Sequence, residues 1–218
     1  MTNTTTATTT PRGKTVYLAV YDTLADWETG YATAHLAENG FTVRTVGPTT
    51  DPVTTMGGLR VQPDLALGEL AELRERTEDT EDAEDTALLI LPGAGLWDTG
   101  DDLAPFARAA RRFVDRGLPV AAICGATAGL AREGLLDDRA HTGAVSYYLE
   151  ATGYRGGKHY RDVDAVTDGN VITAGPTEPV AFAREIFALL GVYEGEKLDA
   201  WYRLFKNSDA SAFAVLNS

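Results

Sequence analysis

A thiol at the junction of an apolar strand and a helix start is the feature of this chain best suited to chemistry. The stretch LPVAAICGATAGLAREG, residues 118–134, carries the only cysteine, Cys124. An apolar run ends at Ile123, and the small residues Gly125, Ala126, Thr127 and Ala128 follow. A strand that delivers a side chain to the rim of a sheet, with small residues behind it to let the backbone turn, reads as a nucleophile elbow. The N–H groups and dipole of the next helix would favour thiolate over thiol. The competing reading is a buried, inert thiol, since free cysteine is among the most buried residue types.

Two other segments offer partners for that sulfur. YDTLADWETG (21–30) brings Asp22, Asp26 and Glu28, and LPGAGLW (91–97) brings Gly93, Ala94 and Gly95. Glu28 could hydrogen-bond the sulfur as a neutral acid, or act as general acid and base, with burial and a nearby thiolate raising its pKa. Its plainer role is that of a first-turn acid facing a helix dipole. Backbone N–H groups of Gly125 and Ala94 would form an oxyanion hole for charge developing on a substrate atom. His141, in DDRAHTGA (137–144), is a candidate base or the member of a buried network, whereas His35 and His159 read as peripheral. Three scattered histidines and one thiol lack metal-ligand spacing, and neither GxGxxG nor GxxxxGK[ST] occurs, so no metal or cofactor is expected.

The elements that must position these groups follow from periodicity. Apolar runs at 15–21, 86–93 and 118–124 read as strands covered on both faces, and 41–47 as a fourth strand. Helices are expected over 22–40, 67–85 (decaying into an acidic run read as a solvated loop), 103–117 and from the elbow to about 134. A Gly-Gly break within 54–64 predicts a short hairpin. Beyond it come a helix at 144–151, a strand pair at 162–167 and 170–174, and helices at 178–190 and 197–206. Strand and helix alternate with short connections, which means a doubly wound, mostly parallel sheet with helices on both faces. Residues 1–13 read as a disordered tail, 14–207 as one domain and 208–218 as a C-terminal tail. In such sheets ligands bind beyond the carboxyl ends of the strands, where Cys124, the 91–97 loop and the 21–30 loop all fall.

A net charge of −13 argues against nucleic acid or an anionic membrane surface as partner. The single cysteine excludes an intramolecular disulfide. No apolar run reaches spanning length, and the threonine-rich start lacks the apolar core of a signal peptide, so a cytoplasmic protein is expected.

Taken together, YDTLADWETGY (21–31), TTMGGLRVQPD (54–64), LLILPGAGLW (88–97), VAAICGATAGLAREGLLDDRAHTG (120–143), DGNVITAGPTEPVAFAREIF (168–187) and AWYRLF (200–205) resemble the ThiJ/PfpI superfamily. This is a class I glutamine amidotransferase-like group that includes the parkinsonism-associated deglycase. The resemblance implies a flavodoxin-like α/β/α sandwich with a nucleophile elbow. It implies Cys124 as reactive cysteine, Glu28 as the acid against the sulfur, Ala94 and Gly125 as oxyanion positions, and His141 as a neighbouring histidine. It also implies a homodimer and a cysteine that oxidises readily. PfpI-type proteases place a histidine directly after the cysteine; this chain has Gly125.

The expectation is therefore a cysteine hydrolase or hydratase acting on a small α-oxoaldehyde, amide or isocyanide-like carbon through a covalent Cys124 adduct. Gly93, Trp97, Thr127 and Trp27 are the substrate-binding candidates. A non-catalytic oxidative-stress sensor or chaperone is the alternative. A third reading, an enzyme for a larger metabolite, would require a deep apolar pocket around Trp27, Trp97 and Tyr147.

Overall fold

A computed structural model of the protein describes residues 14–70 and 86–217. The strands are β1 (Thr15–Ala19), β2 (Thr42–Gly47), β3 (Val53–Thr54), β4 (Arg60–Val61), β5 (Leu65–Ala66), β6 (Thr86–Leu91), β7 (Val120–Ile123), β8 (Ala165–Asp168) and β9 (Val171–Ala174). Seven of them form one sheet in the order β5-β2-β1-β6-β7-β9-β8. All its neighbours are parallel except β8 and β9, which pair antiparallel as the expected hairpin. β3 and β4 make a separate antiparallel pair, the second expected hairpin.

Helices cover both faces, giving three layers. On one face lie α3 (Ala104–Asp115), α4 (Ala126–Arg132) and α5 (Ser146–Glu150); on the other α1 (Gly30–Glu38), α6 (Pro179–Leu190) and α7 (Gly195–Asn207). The period-two alternation of a strand explains why β6 is apolar throughout: Leu89 and Leu91 enter one core while Leu88 and Ile90 enter the other. Opposite it, α3 turns Phe106, Ala107, Ala110, Phe113 and Val114 inward at helical spacing. Each of the two phenylalanines is buried, and burial of such a side chain is worth about 1.5–3 kcal/mol.

The helix expected over 22–40 begins only at Gly30. Residues 22–29 are a loop because their polar side chains hold other segments instead of a helical turn. Asp22 Oδ1 accepts the Thr54 N–H at 2.7 Å, and Asp26 Oδ2 accepts the Gly57 N–H at 2.6 Å. Main-chain bonds from Ala25 N to Gly93 O and from Met56 N to Leu24 O complete the clamp.

Residues 67–70 are helical (α2), while the acidic 75–85 run and the 1–13 tail lie outside the described residues. The segment read as a C-terminal tail carries a short α8 (Phe213–Leu216), preceded by buried Ala212. His35 is not peripheral to the packing. Its Nε2 accepts the Trp201 indole N–H at 3.2 Å, and the Phe187 and Phe205 rings meet it edge-on.

Candidate active site

Cys124 follows β7 directly and adopts φ +59°, left-handed backbone that a non-glycine residue rarely occupies. That strain is the elbow. Its N–H donates to Ala174 O at 3.0 Å, which ties the turn to the end of β9. Its carbonyl accepts both the Thr127 N–H (3.1 Å) and the Thr127 hydroxyl (2.6 Å), which starts α4.

The glycines around it make room for larger groups. A Cβ on Gly125 would stand 3.1 Å from Trp97 Cβ, and one on Gly129 2.4 Å from Trp97 Cζ3. The indole therefore lies across the start of α4. It is fixed from below, since Trp97 Nε1 donates to Pro92 O at 3.0 Å and the Tyr21 hydroxyl donates to the same carbonyl. The 92–97 loop is thereby pinned against the elbow. Ala94 pairs with Leu24 in an isolated bridge, joining that loop to the one bearing Glu28.

Glu28 lies two residues ahead of α1, so it is not a first-turn acid. It is fully buried. Oε2 accepts the Gly93 N–H at 2.5 Å, and Oε1 has no N–H or O–H partner among the described residues. Oε1 faces the thiol: both it and Cys124 Sγ stand 2.9 Å from where a Cβ on Gly93 would be. Burial raises the Glu28 pKa from 4.5 to about 7. Burial and the Glu28 carboxylate together push the Cys124 thiol up to about 12, against a smaller opposing effect of the Gly125 N–H. The expected thiolate is thus corrected. The sulfur shares a dry pocket with a carboxylate, and one helix-end N–H does not offset that. The pair holds a proton on sulfur beside an acid that ionises near neutrality.

The other candidates are distributed differently. His141 is buried and satisfied, with Nδ1 on Arg139 O at 2.7 Å and Nε2 on the Tyr154 hydroxyl at 3.0 Å. Both of its ring nitrogens are thus engaged within the core, away from any free role as a base.

Of the four substrate-binding candidates, three are not surface. Gly93 houses the Cys–Glu pair, Trp97 is sealed beneath the elbow, and Thr127 is buried and bonded to the Cys124 carbonyl. Only Trp27, 52% exposed, faces solvent, with its indole N–H on Pro176 O at 3.2 Å. Tyr147 is 72% exposed, so Trp27, Trp97 and Tyr147 do not line one deep pocket.

Two residues that sequence reasoning missed interact electrostatically with the thiol: Asp98 raises the Cys124 pKa, Cys124 raises that of Tyr148, and the Tyr148 hydroxyl donates to Asp98 Oδ1 at 2.6 Å. Asp98 was detectable as the residue after the strand-end loop. Tyr148 was not, because a helix of five residues gives too little periodicity to choose Tyr148 over Tyr147.

Among the described residues no group of acidic, histidine and cysteine side chains could hold a metal, and no helix is long and apolar enough to cross a membrane.

Residues 14–189 match the model of the DJ-1/PfpI family. The uncharacterized protease YoaZ of Bacillus subtilis is 36% identical over 212 residues, covering 92% of this chain and 95% of that one. A thiJ/pfpI family protein of Bacillus anthracis superposes with a TM-score of 0.82 at 34% identity, covering 94% of this chain and 96% of its own. A DJ-1 superfamily protein of Agrobacterium tumefaciens gives 0.76 at 36% identity, covering 89% and 98%.

Proposed function

This chain belongs to the DJ-1/PfpI family, and from that premise we propose that it is a cysteine-dependent hydrolase or hydratase. Its substrate is a small electrophile: an α-oxoaldehyde, an amide or an isocyanide-like carbon. The observation that carries this reading is the pairing of Cys124, strained at φ +59°, with the buried Glu28 carboxyl across Gly93.

A thiol held up to about 12 beside an acid of about 7 suits base-assisted attack. Sulfur bonds to the electrophilic carbon while Glu28 takes the thiol proton. The electron pair displaced from the multiple bond rests on the substrate heteroatom, and the N–H groups of Gly125 and Ala94 are assigned to hold it. Glu28 then returns the proton to the heteroatom or leaving group. With an amide or isocyanide-like carbon it next deprotonates the water that attacks the acyl or imidoyl adduct, and sulfur departs as the C–S bond breaks and takes that proton back from Glu28. With an α-oxoaldehyde, Glu28 first carries the C1 proton of the hemithioacetal to C2, giving a 2-hydroxyacyl thioester that water then cleaves in the same way. A proton acceptor with pKa near the working pH is the efficient one for this cycle.

Two relatives carry the name of protease. Here the residue after the thiol is Gly125 and both nitrogens of His141 are occupied, which favours small substrates over peptides. The sensor alternative is separated by experiment: oxidation of Cys124 to sulfinic acid at low peroxide with no turnover of any substrate would favour it. A homodimer, read by sedimentation, completes the proposal.

The test compares wild type with Cys124→Ser on methylglyoxal, an isocyanide, simple amides and a denatured protein. Wild type should turn over at least one small substrate, and the variant should lose about 10³-fold or more. Intact mass should capture an adduct at Cys124. Unchanged turnover in the variant refutes the reading. Cleavage of the denatured protein alone, lost in the variant, replaces it with a protease.

A further inference from the structure

On the reading that Cys124 attacks a small electrophile, we infer that Trp27 roofs the thiol and is the specificity-determining residue of the site, selecting electrophiles that carry a flat aromatic substituent.

The placement follows from the sheet. β6, β7 and β9 are neighbours in that order, with Leu91, Ala122 and Thr173 in register. The three strands therefore end level, and two residues later the chain reaches Gly93, Cys124 and Gly175. Residues 25–28 are fastened at the β6 end, where the Ala25 N–H donates to Gly93 O at 2.9 Å and the Gly93 N–H donates to Glu28 Oε2 at 2.5 Å. Pro176 stands at the β9 end, directly after Gly175. The Trp27 indole N–H donates to the Pro176 carbonyl at 3.2 Å. The side chain and its bond together span two strand spacings, about 10 Å, and the strand they cross is β7, which delivers Cys124. Two shorter links tie the sulfur to the same frame. Glu28, the residue after Trp27, faces Sγ across Gly93, and the Cys124 N–H donates to Ala174 O at 3.0 Å, two residues before Pro176. Trp27, Glu28, Cys124, Ala174 and Pro176 thus close a ring of contacts, with the indole as one side of it.

Core packing does not account for this tryptophan. It is part of neither hydrophobic core and is 52% exposed. Its single polar atom is engaged by Pro176, so what it offers an incoming molecule is the ring itself. An indole meets another aromatic ring in a stacked or edge-on arrangement, and a saturated ring of the same size makes the poorer contact. The tether to Pro176 orients the indole before a substrate arrives, so little freedom is lost when one binds.

The test uses the single cysteine. The full chain is reacted with N-phenylmaleimide and with N-cyclohexylmaleimide, which differ in whether the ring is flat. Each adds the thiol across its C=C bond: sulfur bonds to one carbon and the hydrogen ends on the other. Rates are read by intact mass, corrected with Cys124→Ser for adducts at amines, and normalised to those with free mercaptoethanol.

Wild type should favour the phenyl reagent by about three- to tenfold, the rate ratio that one aromatic contact supplies. Trp27→Leu should bring the ratio near one. Phe213→Leu, which removes an exposed ring on α8, should keep the wild-type ratio. A wild-type ratio near one overturns the inference, as does a ratio that Trp27→Leu leaves intact or that Phe213→Leu also removes. These reactions need only a reachable thiol. Cys124→Ser keeping full turnover would therefore refute the catalytic proposal without touching this result, whereas a missing phenyl preference beside Cys124-dependent turnover removes the role of Trp27 alone.

Discussion

Replacing Gly93 by alanine tests the reactive pair most directly. The added Cβ would stand 2.7 Å from Cys124 Cβ, 2.9 Å from Sγ and 2.9 Å from Glu28 Oε1. Restoring ordinary van der Waals separation moves the sulfur and the carboxylate apart by about 0.5–0.8 Å. Gly93 is buried, so the strain has no outlet to solvent, and overpacking of this kind costs about 1–3 kcal/mol. For a chain of this size that lowers the melting temperature by about 3–10 °C. Since a 1 Å misplacement can cost about 100-fold in rate, a shift of this size should lower kcat/KM by about 10–100-fold. Gly95→Ala is the control, because its Cβ would meet Thr23 Oγ1 at an ordinary 3.4 Å. The assay is differential scanning fluorimetry beside turnover of whichever small substrate wild type accepts. If Gly93→Ala matches wild type in both, Glu28 and Cys124 are not in the mutual contact described, and the proton-transfer argument fails.

Glu28→Gln addresses the acid itself. Burial raises the Glu28 pKa from 4.5 to about 7, so between those values the folded state keeps a proton that the unfolded chain releases. Stability is therefore fully present below pH 4.5 and is lost as pH rises through about 7, by about 3 kcal/mol in all. The glutamine variant should escape that loss and melt higher than wild type at pH 8 but not at pH 4.5, as thermal melts at both values will read. Its turnover should fall about 10²–10⁴-fold and lose the rise through pH 7 that ionisation of Glu28 gives wild type; a retained rise assigns the base elsewhere. His141→Leu leaves Tyr154 and the Arg139 carbonyl without their partner and should cost about 1–3 kcal/mol of stability. The iodoacetamide rate at Cys124 should stay within about twofold, and a larger change would return His141 to the site.

Local pattern made the sheet legible before any coordinates. Unbroken apolar runs need cover on both faces, and they alternate with helical periods, which leaves few arrangements other than a doubly wound sheet. The elbow was legible for the same reason: a strand ending at Ile123 followed by small residues allows the turn that Cys124 makes. The true start of α1 was hidden, because Asp22 and Asp26 find their N–H partners at Thr54 and Gly57, some thirty positions away.

Chemical state and facing were decided only by packing. Glu28 meets the thiol because Gly93 leaves no side chain between them, and their shared burial, invisible to spacing, sets which of the two carries the proton. Both nitrogens of His141 are taken by Tyr154 and a carbonyl two residues back, and Tyr148 meets Asp98 across fifty residues. Periodicity along a chain reports which residues are inside; what each one touches there depends on segments the local sequence does not contain.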